Sequence, residues 1–163
     1  MYLKRLSAVN MGPINDVSIT FPFEESGNPK PVIIVGENGT GKTTLLSNVV
    51  DSLYELAEKA FKDVTESDGG SGHQYFKAIS PSEIQIGKEH LCSIIEYTCP
   101  RNPTYSIGYV MKCGSVSADL IKSGNSFCAN KKVSWKDTDG YKKAFIEKSE
   151  AETIFGRSVF CYF

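Results

Sequence analysis

The chain has 163 residues, a formal net charge of −1, and 40% hydrophobic and 23% charged side chains. That length suits one domain with a core of its own, the composition is that of an ordinary soluble globular chain, and the charge gives no electrostatic case for nucleic acid. No apolar run approaches the length of a membrane span, Met1-Tyr2-Leu3-Lys4-Arg5 lacks the apolar stretch of a signal peptide, and Cys92, Cys99, Cys113, Cys128 and Cys161 are scattered with no C-x-x-C pair, so a membrane segment, a zinc site and a disulfide framework are not expected and a reducing cytoplasm is.

In chain order, residues 2–10 read as a strand, Met11-Gly12-Pro13 as a turn, and Val17, Ile19 and Phe21, alternating with Ser18 and Thr20, as a half-buried second strand. A loop over residues 24–30 leads to Pro31-Val32-Ile33-Ile34-Val35, a short β-branched run that reads as a buried strand. Leu45, Leu46, Val49, Val50, Leu53, Leu56, Ala57, Ala60 and Phe61 recur at helical spacing, predicting a helix from near Gly41 to about Lys62. Residues 63–73, rich in Ser, Gly and Asp, form a polar connector. Residues 91–99 and the alternating Tyr105, Ile107, Tyr109, Met111 and Cys113 make two strands joined by the turn Pro100-Arg101-Asn102-Pro103, an antiparallel hairpin. A weaker strand is expected over 127–135. Tyr141, Ala144, Phe145, Lys148, Glu152 and Phe155 fall near one helical stripe ended by Gly156. The chain then stops on an apolar strand, 158–163, which predicts a piece of a longer protein.

Between the third strand and the first helix, Gly36-Glu37-Asn38-Gly39-Thr40-Gly41-Lys42-Thr43 fits G-x-x-x-x-G-K-[ST]. Strand, glycine loop and helix together meet the needs of phosphate binding. The loop turns backbone N–H groups inward as a nest for anionic oxygens, and the helix N-terminus adds partial positive charge. Lys42 is placed to reach the β- and γ-phosphates and the Thr43 hydroxyl to complete the shell of a Mg²⁺ ion. The bland reading, a glycine-rich turn that matches by chance, is disfavoured by the flanking elements. Lys131-Lys132 and Lys142-Lys143 read as solvated faces rather than phosphate contacts, and Trp135 and the tyrosines as packing residues rather than stacking platforms.

The resemblance becomes specific at three places. Residues 3–21 resemble the opening strand pair of the SMC, RecF, RecN and ABC-type ATPases. Residues 34–46 resemble their phosphate loop, G-x-N-G-[ST]-G-K-[ST]-[ST]-L, and the 91–113 hairpin resembles their small β-subdomain. Residues 157–163 look like the core strand leading to their glutamine-containing loop. The resemblance implies an α/β P-loop NTPase fold: residues 1–163 as the N-terminal lobe of an ABC-like head, with a mixed core sheet, a separate antiparallel β-subdomain, and the catalytic lobe missing. In the implied site Gly36, Asn38, Gly39, Thr40, Gly41, Lys42, Thr43 and Thr44 hold ATP, Thr44 at the α-phosphate and Asn38 toward the γ-phosphate or a partner subunit, with Thr43 on Mg²⁺. Glu37 is expected to face solvent or a neighbouring subunit.

The departures are informative. Such heads carry a second apolar strand ending in Asp-Glu; Ile94-Ile95-Glu96-Tyr97 lacks the Asp and falls too early. The serine-rich signature, a heptad run and a switch histidine are also missing, since His73 and His90 both precede its place, and Gln74 and Gln85 precede the place of the metal-sensing glutamine. Gly12-Pro13 stands where DNA-repair members often have a basic residue near the base. No catalytic residue is therefore assigned. The resemblance implies an ATPase head that homodimerises around ATP in the complete protein and acts on DNA or on a nuclease or other effector, in DNA maintenance or anti-phage defence. The alternatives are a nucleotide-sensing module without useful turnover, and a kinase or transporter P-loop protein.

Overall fold

The computed structural model describes residues 1–61, 65–66, 74–75, 79–99, 102–136 and 139–156. Strands β1 (Tyr2–Met11) and β2 (Ile14–Thr20) form the expected opening hairpin, joined by a turn at Gly12-Pro13. Alternation decides their faces: Leu6 and Ala8 of β1 enter the core, while Arg5, Ser7 and Val9 point the other way. Helix α1 spans Lys42–Ala57 and its last turns tighten through Ala60, ending slightly before the expected Lys62. Two-residue strands β3 (Thr65–Glu66) and β4 (Gln74–Tyr75) pair in parallel, apart from the main sheet. The rest of the expected 63–73 connector, with His73, lies outside the described residues.

After a 3₁₀ turn at Pro81–Glu83 come β5 (His90–Cys99) and β6 (Asn102–Gly114), the predicted antiparallel hairpin. It is not a separate layer, however. β5 pairs antiparallel with β1, from Tyr2↔Thr98 to Val9↔Cys92, and the sheet runs β2-β1-β5-β6-β7. β5 is buried along most of its length because both sheet faces are covered, which explains why it is apolar on both faces, with Ser93 and Glu96 as its buried polar residues.

Three further expectations are corrected. Residues 127–135 hold no strand: α2 (Ala118–Gly124) is followed by α3 (Ser126–Asn130), whose N-cap Asn125 accepts a hydrogen bond from the Cys128 N–H at 3.2 Å. That local cap competes successfully with the strand pattern. The supposed helical stripe from Tyr141 splits into β7 (Gly140–Phe145), paired with β6, and α4 (Lys148–Phe155), with Glu147 as the extended N-cap residue. In β7 the period is two: Tyr141 and Phe145 pack with one cluster and Ala144 with the other. Finally, residues 31–35 form no strand. Val32, Ile33, Ile34 and Val35 are 41%, 84%, 45% and 87% exposed. A β-branched run becomes a strand only against a neighbour, and among the described residues none pairs with it. The mixed core sheet expected around it is thus not seen among the described residues, and the expected 158–163 strand, with Arg157 and Cys161, lies outside them.

The sheet separates two cores. On one face α1 and α4 pack Leu45, Leu56, Ile154 and Phe155 against Leu6, Leu91, Ile95, Ile107 and Tyr109. On the other, Phe127, Cys128 and Val133 pack against Cys92, Ile94 and Val110. Each fully buried large apolar side chain is worth about 1.5–3 kcal/mol. A polar seam crosses the first interface: Asn48 Nδ2 donates to Ser93 Oγ at 2.7 Å, and the Ser52 hydroxyl bonds the Tyr97 hydroxyl. Cys92, Cys99, Cys113 and Cys128 are all buried. No described helix is long and apolar enough to cross a membrane.

Candidate functional site

The glycine loop stands at the head of α1. Gly41 is its N-cap residue, at φ 95° and ψ 12°, a left-handed conformation that a side chain rarely adopts. A Cβ there would also stand 2.6 Å from Ile14 Cγ1 and 3.1 Å from Pro13 Cγ. The β1–β2 turn is therefore the wall against which the loop enters the helix. Gly39 takes φ 82°, and Thr40 ties the loop to itself, its Oγ1 donating to the Glu37 carbonyl at 2.8 Å. The Leu45 N–H donates to the Gly41 carbonyl at 2.9 Å, starting the helical ladder.

Lys42 folds back over this loop. Its Nζ donates to the carbonyls of Gly36 at 2.7 Å and Glu37 at 2.6 Å. The ammonium is thus held at the centre of the loop, and the carbonyls neutralise part of its charge. Gly36, Asn38, Gly39 and Thr40 are exposed around it, as is Glu37 in line with expectation; Thr43 is exposed and Thr44 half-buried on the first turn of α1. Gly36 through Thr44 are consecutive, so the structure gathers them as one surface. Chemically, one cation and two threonine hydroxyls stand on a glycine loop at a helix N-terminus, an arrangement that suits an anion with several oxygens. Among the described residues no group of three His, Cys, Asp or Glu side chains is placed to hold a metal ion. The donor set fits a Mg²⁺ that takes one hydroxyl from Thr43 and its remaining ligands from phosphate and water.

Glu96, the carboxylate of the near-match Ile94-Ile95-Glu96-Tyr97, alternates with Ile95 and Tyr97 of the α1 core; its Oε1 is buried without a hydrogen-bond partner among the described residues. It does not approach the loop's side of the sheet. His90 lines a cavity of about 360 Å³ with Arg5, Ser7, Ser18, Cys92 and Asn125, on the face opposite α1. Burial lowers its pKa below the usual histidine value, outweighing the Glu89 carboxylate, which raises it. Burial likewise pushes the Cys92 and Cys128 thiols up to about 12, which keeps them protonated and unreactive.

The basic pairs are mostly engaged within the fold rather than free. Lys142 pairs with the buried Glu55 at 3.3 Å, Lys131 sits 5.4 Å over the Tyr105 ring, and Lys143 sits 5.1 Å over Phe145. Trp135 is a packing residue, as expected: its Nε1 donates to the Val116 carbonyl at 2.7 Å and its ring stands 5.1 Å from that of Tyr141.

Sequence reasoning missed one neighbour of the loop. The segment Pro81–Glu83 and its continuation dock on the β1–β2 turn: the Gly12 N–H donates to the Glu83 carbonyl at 2.7 Å, the Gln85 N–H to the Asn10 carbonyl at 3.0 Å, and Met11 bridges Ile84. No periodicity marks these residues; only Pro81, at the first position of the turn, hinted at local order. Comparison with curated proteins returns no match. A family model described as an AAA domain matches residues 5–153, and the α/β architecture with its antiparallel sheet fits a P-loop-like fold. The chain belongs to that family of nucleotide-binding ATPases, as an SMC/RecF-like member.

Proposed function

We propose that this chain is the nucleotide-gripping N-terminal lobe of an ABC/SMC-like ATPase head, holding ATP through Gly36, Asn38, Gly39, Thr40, Gly41, Lys42, Thr43 and Thr44, with Mg²⁺ on Thr43. The observation that carries the reading is the Lys42 ammonium, held on the Gly36 and Glu37 carbonyls in the middle of a glycine loop that opens a helix. The bare apolar surface supports the lobe assignment. Ile33 and Val35 beside the loop, with Leu46, Tyr54 and Phe61 of the α1 segment, are exposed, as expected of a unit that packs against further strands. In the complete head, two such lobes close around ATP as a homodimer, and closure acts on DNA or on a nuclease or other effector.

Phosphoryl transfer to water depends on positioning and on neutralising charge. Lys42 and Thr43 supply part of that. Among the described residues no Asp-Glu pair follows an apolar strand to order metal and water, and this favours the second reading, a nucleotide-sensing module without useful turnover, for the chain by itself. Two measurements test the proposal. Calorimetry with MgATP should show Lys42→Ala losing tight binding, because an ammonium-to-phosphate contact is charge-assisted; undiminished affinity refutes the site. A phosphate-release assay on this chain alone should show turnover some three to five orders of magnitude below that of a complete head. Steady, Lys42-dependent turnover would reveal a catalytic carboxylate in the chain.

A further inference from the structure

The half-buried Glu83 stands beside the loop without a structural task for its side chain. Its backbone does the docking, accepting from the Gly12 N–H at 2.7 Å. Its carboxylate forms no ion pair with any described residue. Yet it is aimed inward: a Cβ on Gly12 would stand 3.2 Å from Glu83 Oε2 and 3.9 Å from Thr44 Oγ1. A carboxylate oxygen and a hydroxyl of the first helical turn thus border the same small space beside Gly12, which a methyl at position 12 would crowd.

The side of the loop on which this space lies is set by the helix. Residues 42 and 44 point about 200° apart around α1. Lys42 turns back to Gly36 and Glu37, and a lysine at this motif position serves the terminal phosphates. The sugar end of a nucleotide therefore leaves on the Thr44 side, over the junction of the β1–β2 turn with Glu83. A carboxylate repels phosphate oxygens but accepts strongly from hydroxyl groups.

We propose that Glu83 accepts hydrogen bonds from the ribose hydroxyls of the bound nucleotide, so that the site selects ribonucleoside over deoxyribonucleoside triphosphates. The proposal rests on the reading of residues 36–44 as the phosphate site and adds to it a reader of the sugar.

The test is equilibrium binding, with Mg²⁺, of ATP, 2′-deoxy-ATP, 3′-deoxy-ATP and inorganic tripolyphosphate to the wild-type chain, Glu83→Ala, Glu83→Gln and Lys42→Ala. A hydrogen bond to a charged group sets the scale at about 10-fold or more in affinity. The wild type should prefer ATP to at least one deoxy analogue by that factor. Glu83→Ala should bring the ratio close to one while leaving tripolyphosphate binding unchanged or tighter, and Glu83→Gln, which keeps an acceptor oxygen, should restore part of the preference. A wild type indifferent to the sugar, or a ratio unchanged in Glu83→Ala, overturns the role of Glu83 while tripolyphosphate binding lost in Lys42→Ala keeps the phosphate site standing. A Glu83→Ala variant that alters only the Mg²⁺ requirement overturns it too, assigning the carboxylate to the metal. Absence of all binding to the wild type overturns both.

Discussion

Gly41 is where the loop, the helix and the sheet meet, and a single atom measures how tightly they do so. An alanine there must hold a left-handed backbone, which costs about 1–3 kcal/mol, and its methyl would fall 2.6 Å from Ile14 Cγ1, so either the loop or the start of β2 has to move. Gly41→Ala should lower the unfolding free energy by at least that amount, moving the urea midpoint down, and weaken nucleotide binding as well. An equal midpoint would mean that the loop does not press on the hairpin. Lys42 differs, since its partners are exposed carbonyls and its removal should change binding far more than stability. The loop was legible in the sequence because its chemistry is local: the glycines, the lysine and the threonines are consecutive, and spacing alone assembles them. Glu83 was not legible. It reaches Thr44 only through the docking of a 3₁₀ turn on another turn, a tertiary event that leaves no period in the chain.

At the level of elements, the hairpins followed from alternation and turn residues, and α1 from its apolar spacing. The errors came where two signals overlapped. Tyr141 to Phe155 satisfies a period of two in its first half and a helical period in its second, and a single window merges them. Residues 126–130 are apolar enough for a strand, yet Asn125 caps them into a helix. What the pattern could not show at all is the polar seam of α1 on β5. Ser52 and Tyr97 exchange a hydrogen bond inside the core, and Asn48 bonds Ser93 one helical turn away. Burial raises the Tyr97 phenol well above its ordinary pKa despite the Ser52 hydrogen bond that lowers it. Ser52→Ala leaves a buried hydroxyl unpaired and should cost about 1–3 kcal/mol, whereas Ser52→Ala with Tyr97→Phe removes both partners and should recover much of that loss. Additive losses in the double variant would show that the two hydroxyls do not depend on each other.

For the whole molecule, the asymmetry of its surface stands out. One sheet face is sealed by α1 and α4, while Ile33, Val35 and Leu46 leave apolar area open next to the loop and Tyr54 is exposed farther along α1. Exposed area of this kind attracts hydrophobic dyes and promotes association. The paired change Ile33→Lys, Val35→Lys should therefore reduce anilinonaphthalene sulfonate fluorescence and light scattering without shifting the unfolding midpoint, because neither side chain is packed; unaltered dye binding would mean that the patch is covered in solution. The reading of residues 31–35 as a buried strand failed for the same reason, since a sequence records what a segment prefers and not whether a neighbour is there to meet it. The order of the sheet has a kinetic consequence. β1 lies beside β5, with Tyr2 opposite Thr98, so the chain closes a very long loop, containing both the glycine loop and α1, before its central strands can pair. Such non-local closure is entropically slow, placing refolding toward the millisecond-to-second range. The glycine loop, braced by Pro13 and Ile14 of the hairpin, acquires its shape only when that closure is complete. A nucleotide that grips it binds the folded state alone, and occupancy at one hundred times Kd would add about 2.7 kcal/mol to the stability of the entire sheet.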